Sequence, residues 1–365
     1  GLTADHVKSL TTTDIGELAT TQVAALSADQ IKNLSAANIS ALSSTQSASL
    51  TGAQIAAMTI TQVQGLSTTD IGELSSTQVG ALTASQVKAL ATTQAGQLST
   101  TQIGGLTATQ VGSLSTSAFG ALDSTQVGAL TATQLKGLTT QHMSALSTTD
   151  VGELTATQVG ALGGTQLAAL TPSTLSAMSS TQLGALNATQ VKSLTTSQLS
   201  GLTTTGIGQL GTTQIGALSN PQIAALTTTG LSAMSSTQVG ALSATQVKAL
   251  TSNQLKGLSA TDIGEFATTQ ISALTAEQLK SLAATQVSAL TSTQVGALAN
   301  TQVQALSTSQ LAGLTTTDVG ELTSTQVGAL SLAQVGALAG TQVQQLSTTQ
   351  IGGLSATQLL SLIHI

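Results

Sequence analysis

The chain has 365 residues with a formal net charge of −6, 6% charged and 1% aromatic residues, 8 lysines, and no arginine, cysteine, tryptophan or tyrosine. An ordinary soluble domain is roughly 25% charged, and nucleic-acid recognition leans on basic and aromatic side chains, so this composition argues against it. Missing cysteine excludes disulfides, thiolate nucleophiles and Cys-ligated zinc. A hydrophobic fraction of 40% is too high for a disordered tail, and no apolar run approaches the ~18 residues of a membrane span.

One period organises the chain. Stepping by eight from Leu2, every position from Leu10 to Leu362 is Leu except Met58, Met178, Met234 and Phe266. Stepping by eight from Val7 meets Val, Ile or Leu, with Phe119 and Met143 as larger members and Ser47 and Ala95 as the two breaks. The unit is L-[ST]-x-[TS]-Q-[VIL]-x-[AG], and its register never slips. Residues 1–359 therefore read as a single octapeptide-repeat array without a linker. A longer period lies above it. [TA]-T-D-[IV]-G-E motifs place Asp at 14, 70, 150, 262 and 318, with Gly206 in the same slot, and from 150 onward the step is 56 residues, or seven octads. That pattern implies duplication of a seven-octad cassette, with octads gained or lost whole.

Each octad reads as a short capped helix. Ser or Thr after Leu is an N-cap, and Gln three residues later completes a capping box. Leu at N′ and Val at N4 are the two ends of a hydrophobic staple. Pro172 and Pro221 fall in the first turn, where a missing N–H costs little. Asp5, Asp29, Glu277 and the five periodic Asp sit near the positive helix end, and all eight lysines share one column near the negative end. Glycine clusters in the same late columns, as C-terminal positions prefer, and Gly or Ala before Leu lets backbones approach. One such turn cannot stand alone, because helix nucleation is unfavourable.

The predicted fold is thus all-α, a solenoid of short capped helices with one helix per octad, each stabilised by stacking on its neighbours. Two octads per coil, stacked about 9 Å apart, would give a rod on the order of 200 Å. A single long helix is disfavoured, since eight residues at about 100° each wind the apolar stripe around the axis. The rival architecture is a β-solenoid, favoured by Thr and Val but lacking alternation of apolar and polar residues.

In chain order, the candidate site residues are Asp14/Glu17, Asp70/Glu73, Asp150/Glu153, Asp262/Glu265 and Asp318/Glu321. Each pair is spaced i, i+3 and shares a helix face. Two carboxylates contribute to a Ca²⁺ site, but that ion takes six to eight oxygens and no Ca²⁺-loop motif is present. The simpler expectation is that Asp replaces Gln in the cap while Glu takes an exposed edge. His6 and His142 occupy the Gln column as cap-position residues. No nucleophile, P-loop, G-x-S-x-G or H-E-x-x-H motif appears, so neither enzymatic activity nor a cofactor is expected. The lysine column reads as a solvated edge.

The last six residues, 360–365, leave the repeat chemistry. CTG TCT CTT ATA CAC ATC encodes them, and this string matches a transposase-end adapter of short-read libraries. They are read as adapter read-through closing a fragment of environmental DNA, with a natural hydrophobic tail as the alternative.

The octad, seen in Leu154-Thr155-Ala156-Thr157-Gln158-Val159-Gly160-Ala161-Leu162, resembles the repeat arrays of large bacterial surface and adhesin-like proteins. The resemblance covers residues 2–359. It implies export to the bacterial cell surface or extracellular matrix and a structural role as stalk or spacer, with other copies of the array or surface glycans as partners. Two alternatives stand beside it. Regular Thr columns, as at Thr21, Thr61 and Thr77, would bind ice or a polysaccharide if they formed a flat array. An intracellular scaffold would instead dock a partner helix in a groove.

Overall fold

The computed structural model describes residues 3–362. Within them the chain forms forty-five α-helices of four to seven residues, from Ala4–Ser9 to Ala356–Leu362, and no strand. The all-α solenoid is the observed architecture, and the β-solenoid is not.

The helix Ala244–Ala249 shows the local logic. Ser243 is extended (φ −68°, ψ 158°), and its hydroxyl accepts the N–H of Gln246 at 3.3 Å. Gln246 Oε1 in turn accepts the N–H of Ser243 at 2.8 Å, which closes the capping box. The helix stops at Leu250 (φ −60°, ψ 136°), and Thr251 (φ −77°, ψ 155°) is extended as well. Two consecutive extended residues make the bend into the next helix. The N–H of Leu250 still reaches the carbonyl of Val247 at 3.1 Å, tightening the last turn.

Both staple positions face inward. From Leu26 to Leu354 the Leu column is at most 9% exposed, and from Val7 to Val335 the Val column is at most 6% exposed. Each Val position is covered by the turn that follows. Near the end of the described chain that cover is missing, and Ile351 and Leu359 are each 38% exposed.

The contacts divide into two compact units, a first up to Leu186 and a second from Asn187. Both are wound alike. In the first, helix Ser76–Ala81 packs on its third neighbour Thr100–Gly104; in the second, Ala244–Ala249 packs on Thr268–Ala273. Gln amides reach carbonyls 28 and 31 residues back, as from Gln46 to Leu18 and Ile15 and from Gln246 to Leu218 and Ile215. One turn therefore takes about 28 residues, or three and a half octads, and not the two octads expected from the sequence. Each helix packs on its third neighbour back, while its Gln reaches the C-terminal end of the fourth. Register returns after two turns, which is seven octads, the length of the duplicated cassette.

Glycine plays a different part from the one its late columns suggest. No described glycine has positive φ, so none closes a helix in the left-handed conformation. Some permit close approach between turns instead. A Cβ on Gly105 would collide with the carbonyl of Ser76, and one on Gly137 with that of Ala108, whereas a Cβ on Gly184 would meet nothing within 4 Å. Gly137→Ala is expected to lower stability by more than about 1 kcal/mol through this backbone clash. Gly184→Ala should raise it by about 0.5 kcal/mol by restricting the unfolded chain. Urea unfolding of the two variants checks the contrast.

Candidate functional site

The recurrent polar element of the fold is the Gln column. Its side chains are buried yet bonded at both ends, and the described residues contain no buried side-chain nitrogen or oxygen without a partner. Gln254 is representative. Its Oε1 accepts the N–H of Thr251 at 2.7 Å, while its Nε2 donates to the carbonyls of Ile223 at 2.9 Å and Leu226 at 2.7 Å. The first bond caps its own helix. The other two close the C-terminal end of a helix one turn below: the Leu226 carbonyl gains the amide as its partner, and the Ile223 carbonyl, which already accepts the N–H of Leu226, gains a second donor. The capping box was legible in the sequence, but this second task was not anticipated. Its signal was the choice of Gln over Glu: both can cap, and only the amide can also donate.

Against this background the periodic acids are easily placed. Each Asp takes the capping half of the Gln role, accepting the N–H of its N-cap residue: Thr11 to Asp14 at 2.8 Å, Ser67 to Asp70 at 2.7 Å, Ser147 to Asp150 at 2.7 Å, Ser259 to Asp262 at 2.7 Å and Thr315 to Asp318 at 2.8 Å. A carboxylate cannot donate, so the carbonyls below receive no amide at these positions. Asp70 also accepts the hydroxyl of Ser40 from the turn below at 2.7 Å. The N–H and hydroxyl of Thr11 hold the Asp14 carboxyl below the usual carboxylate range. Glu17, Glu153, Glu265 and Glu321 are exposed and Glu73 is half-buried. The Asp carboxylates are thus engaged in their helix caps, and among the described residues no three or more His, Asp or Glu converge as a metal site.

His142 reproduces the Gln pattern with a ring. Its Nδ1 lies 3.3 Å from the N–H of Thr139, and its Nε2 lies 2.9 Å from the carbonyl of Leu114, 28 residues back. The neutral ring protonated on Nε2 satisfies both contacts. Phe119 packs against it with ring centroids 4.8 Å apart, where Ala118 leaves the Gln slot of that octad empty. Burial pushes the His142 pKa down, partly opposed by the bond to Leu114. His6 is an exposed cap residue whose Nδ1 lies 3.2 Å from the N–H of Thr3, and His364 lies outside the described residues.

The surface carries no enclosed polar cleft among its principal pockets. A shallow groove in the first unit is lined by Ser85, Ser113 and Gln141, one from each of three successive turns. The Thr column is exposed but winds round the turns: Thr21 and Thr77 are two turns apart and share a side, and Thr61 lies elsewhere on the circumference. All eight lysines are exposed, and Lys32 pairs weakly with Asp29 at 3.9 Å. No helix among the described residues is long and apolar enough to cross a membrane.

Residues 193–228, 221–252 and 299–332 match the ALTTAQ repeat family, which identifies a tandem repeat region within the chain. No curated protein matches it.

Two measurements check the roles of this column. Gln254→Glu keeps the cap but turns a buried carboxylate toward two carbonyls, and should cost at least about 2 kcal/mol; Asp318→Gln supplies the missing amide and should add about 1 kcal/mol. Denaturant midpoints of the two variants should move in opposite directions. His142 gives a pH test. Its folded pKa lies below the unfolded value near 6.5, so its contribution is complete above about pH 6.5 and declines as pH falls from there towards the folded pKa. His142→Gln should remove that part of the acid-side loss in melting temperature.

Proposed function

We propose that this chain is a non-enzymatic structural spacer, a stalk segment of a bacterial cell-surface or extracellular-matrix protein of the adhesin-like kind. The observation that carries this reading is the uniformity of the tie between turns. The contact that joins Gln46 to Leu18 in the first unit recurs as Gln358 to Leu330 in the second, with the same spacing of 28 residues. Where the Gln octads make the same contacts in turn after turn, length can change by whole octads without a new core, which suits an element whose task is reach. The absence of cysteine suits a chain exported unfolded, and the uniform polar surface offers no distinctive docking groove for a scaffold reading.

Inserting a second copy of residues 263–318 adds one seven-octad cassette, or two turns. The expected result is full helicity by circular dichroism and a longest dimension, from small-angle X-ray scattering, that grows by roughly 16–20 Å for each cassette. Loss of helicity, or no growth, would overturn the spacer reading. Antibodies against residues 3–359 should label intact cells of the source organism; labelling confined to lysed cells would overturn the surface location.

A further inference from the structure

A turn of about 28 residues converts position in the sequence into side of the coil. Residues a whole number of turns apart share a side, and those an extra half-turn apart lie opposite. In the second unit Lys192 and Lys248 are separated by two turns, and Lys256 and Lys280 fall within a third of a turn of them. Glu265 and Glu321 are also two turns apart, and they lie across the coil from the centre of that lysine group. The first unit repeats the arrangement. Lys32 and Lys88 are two turns apart, flanked by Lys8 and Lys136, while Glu17 and Glu73 are two turns apart on the other side with Glu153 near their phase. Asp14, Asp70, Asp262 and Asp318 fall beside the glutamates of their units, and Asp123 and Asp150 lie at the edge between the two sides. Asp5, Asp29 and Glu277 fall among the lysines and temper that side without reversing it. The lysines are all exposed, as are the glutamates except half-buried Glu73.

We infer that the lysine side of one copy docks alongside the glutamate side of a second copy. The two sides are complementary in sign, and both repeat their charges every two turns, so a parallel shift that aligns one pair aligns the next. The positions midway between the paired charges are Thr45, Asn220 and Thr293, which are small and polar, and exposed Ile60 between Lys32 and Lys88. Because each unit offers one side of each kind, the contact is heterologous and extends into open rows. Exposed ion pairs are individually weak and are screened by salt, so the association depends on several pairs acting together. It is independent of the role as a spacer and stands or falls separately from it.

Sedimentation of the full chain in about 0.01 M and about 1 M salt, where the Debye length drops from roughly 30 Å to 3 Å, reads the association directly. The self-association constant should fall at least about tenfold at the higher salt. The variant K32E/K88E/K192E/K248E makes both sides acidic, and E17K/E73K/E265K/E321K keeps the lysine side while cutting the acidity of the other, to zero in the second unit. Each should be monomeric alone with unchanged circular dichroism, and an equimolar mixture should associate again. A chain that is monomeric at low salt would overturn the inference. So would association that survives high salt and both charge variants, which would assign the contact to exposed apolar residues such as Ile60 and Leu332.

Discussion

A single side-chain amide holds the architecture together. Helices of about one and a half turns leave most of their backbone groups without intrahelical partners, and buried groups of this kind must be paired. The Gln column solves the problem at both ends at once. In Gln46 the Oε1 closes the N-terminus of its own helix at 2.7 Å from Ser43, and the Nε2 closes the C-terminus of a helix one turn below at 2.7 Å from Leu18. Leu and Val then exclude water from these bonds, which makes a missing partner costly. The apolar staple and the amide are interdependent: without burial the bonds would exchange with water, and without the bonds the buried backbone would be unsatisfied.

The helix itself was legible from residues alone. Ser243, Gln246 and Leu250 announce start, cap and stop, and each does the expected job. The number of octads per turn was not legible in the octad, because every octad looks the same from any position on the coil. The signal lay in the longer period. Only after seven octads do helix phase and turn phase coincide, so the recurrence from Asp262 to Asp318 marks two turns of three and a half. The glycines were read for conformation when they act through space. Gly105 and Gly137 are needed because a backbone carbonyl of another turn lies where their Cβ would be, a fact that depends on residues 29 positions away.

The positions that depart from the repeat show how tolerant the column is. Asn38 reaches Leu10 at 2.8 Å, Thr174 reaches Leu146 at 3.3 Å and His142 reaches Leu114 at 2.9 Å, each from a side chain of different length. Asp keeps the cap and gives up the tie, and Gly206 and Gly230 give up both. A lattice with three or four such ties in every turn absorbs a missing one, which explains why the Asp residues can recur without interrupting the coil.

The ties between turns are short in sequence, and this shapes how the chain reaches its structure. The hydrogen bonds from turn to turn span 25 to 31 residues, so a chain of this size behaves in folding like a string of short local problems. A nascent or translocating chain has to expose little more than one turn before the next Gln finds its carbonyls, and the Val column of the newest turn stays open until the following one arrives. The newest turn of a chain lengthening in this way presents apolar surface, as Ile351 and Leu359 do near the end of the described residues.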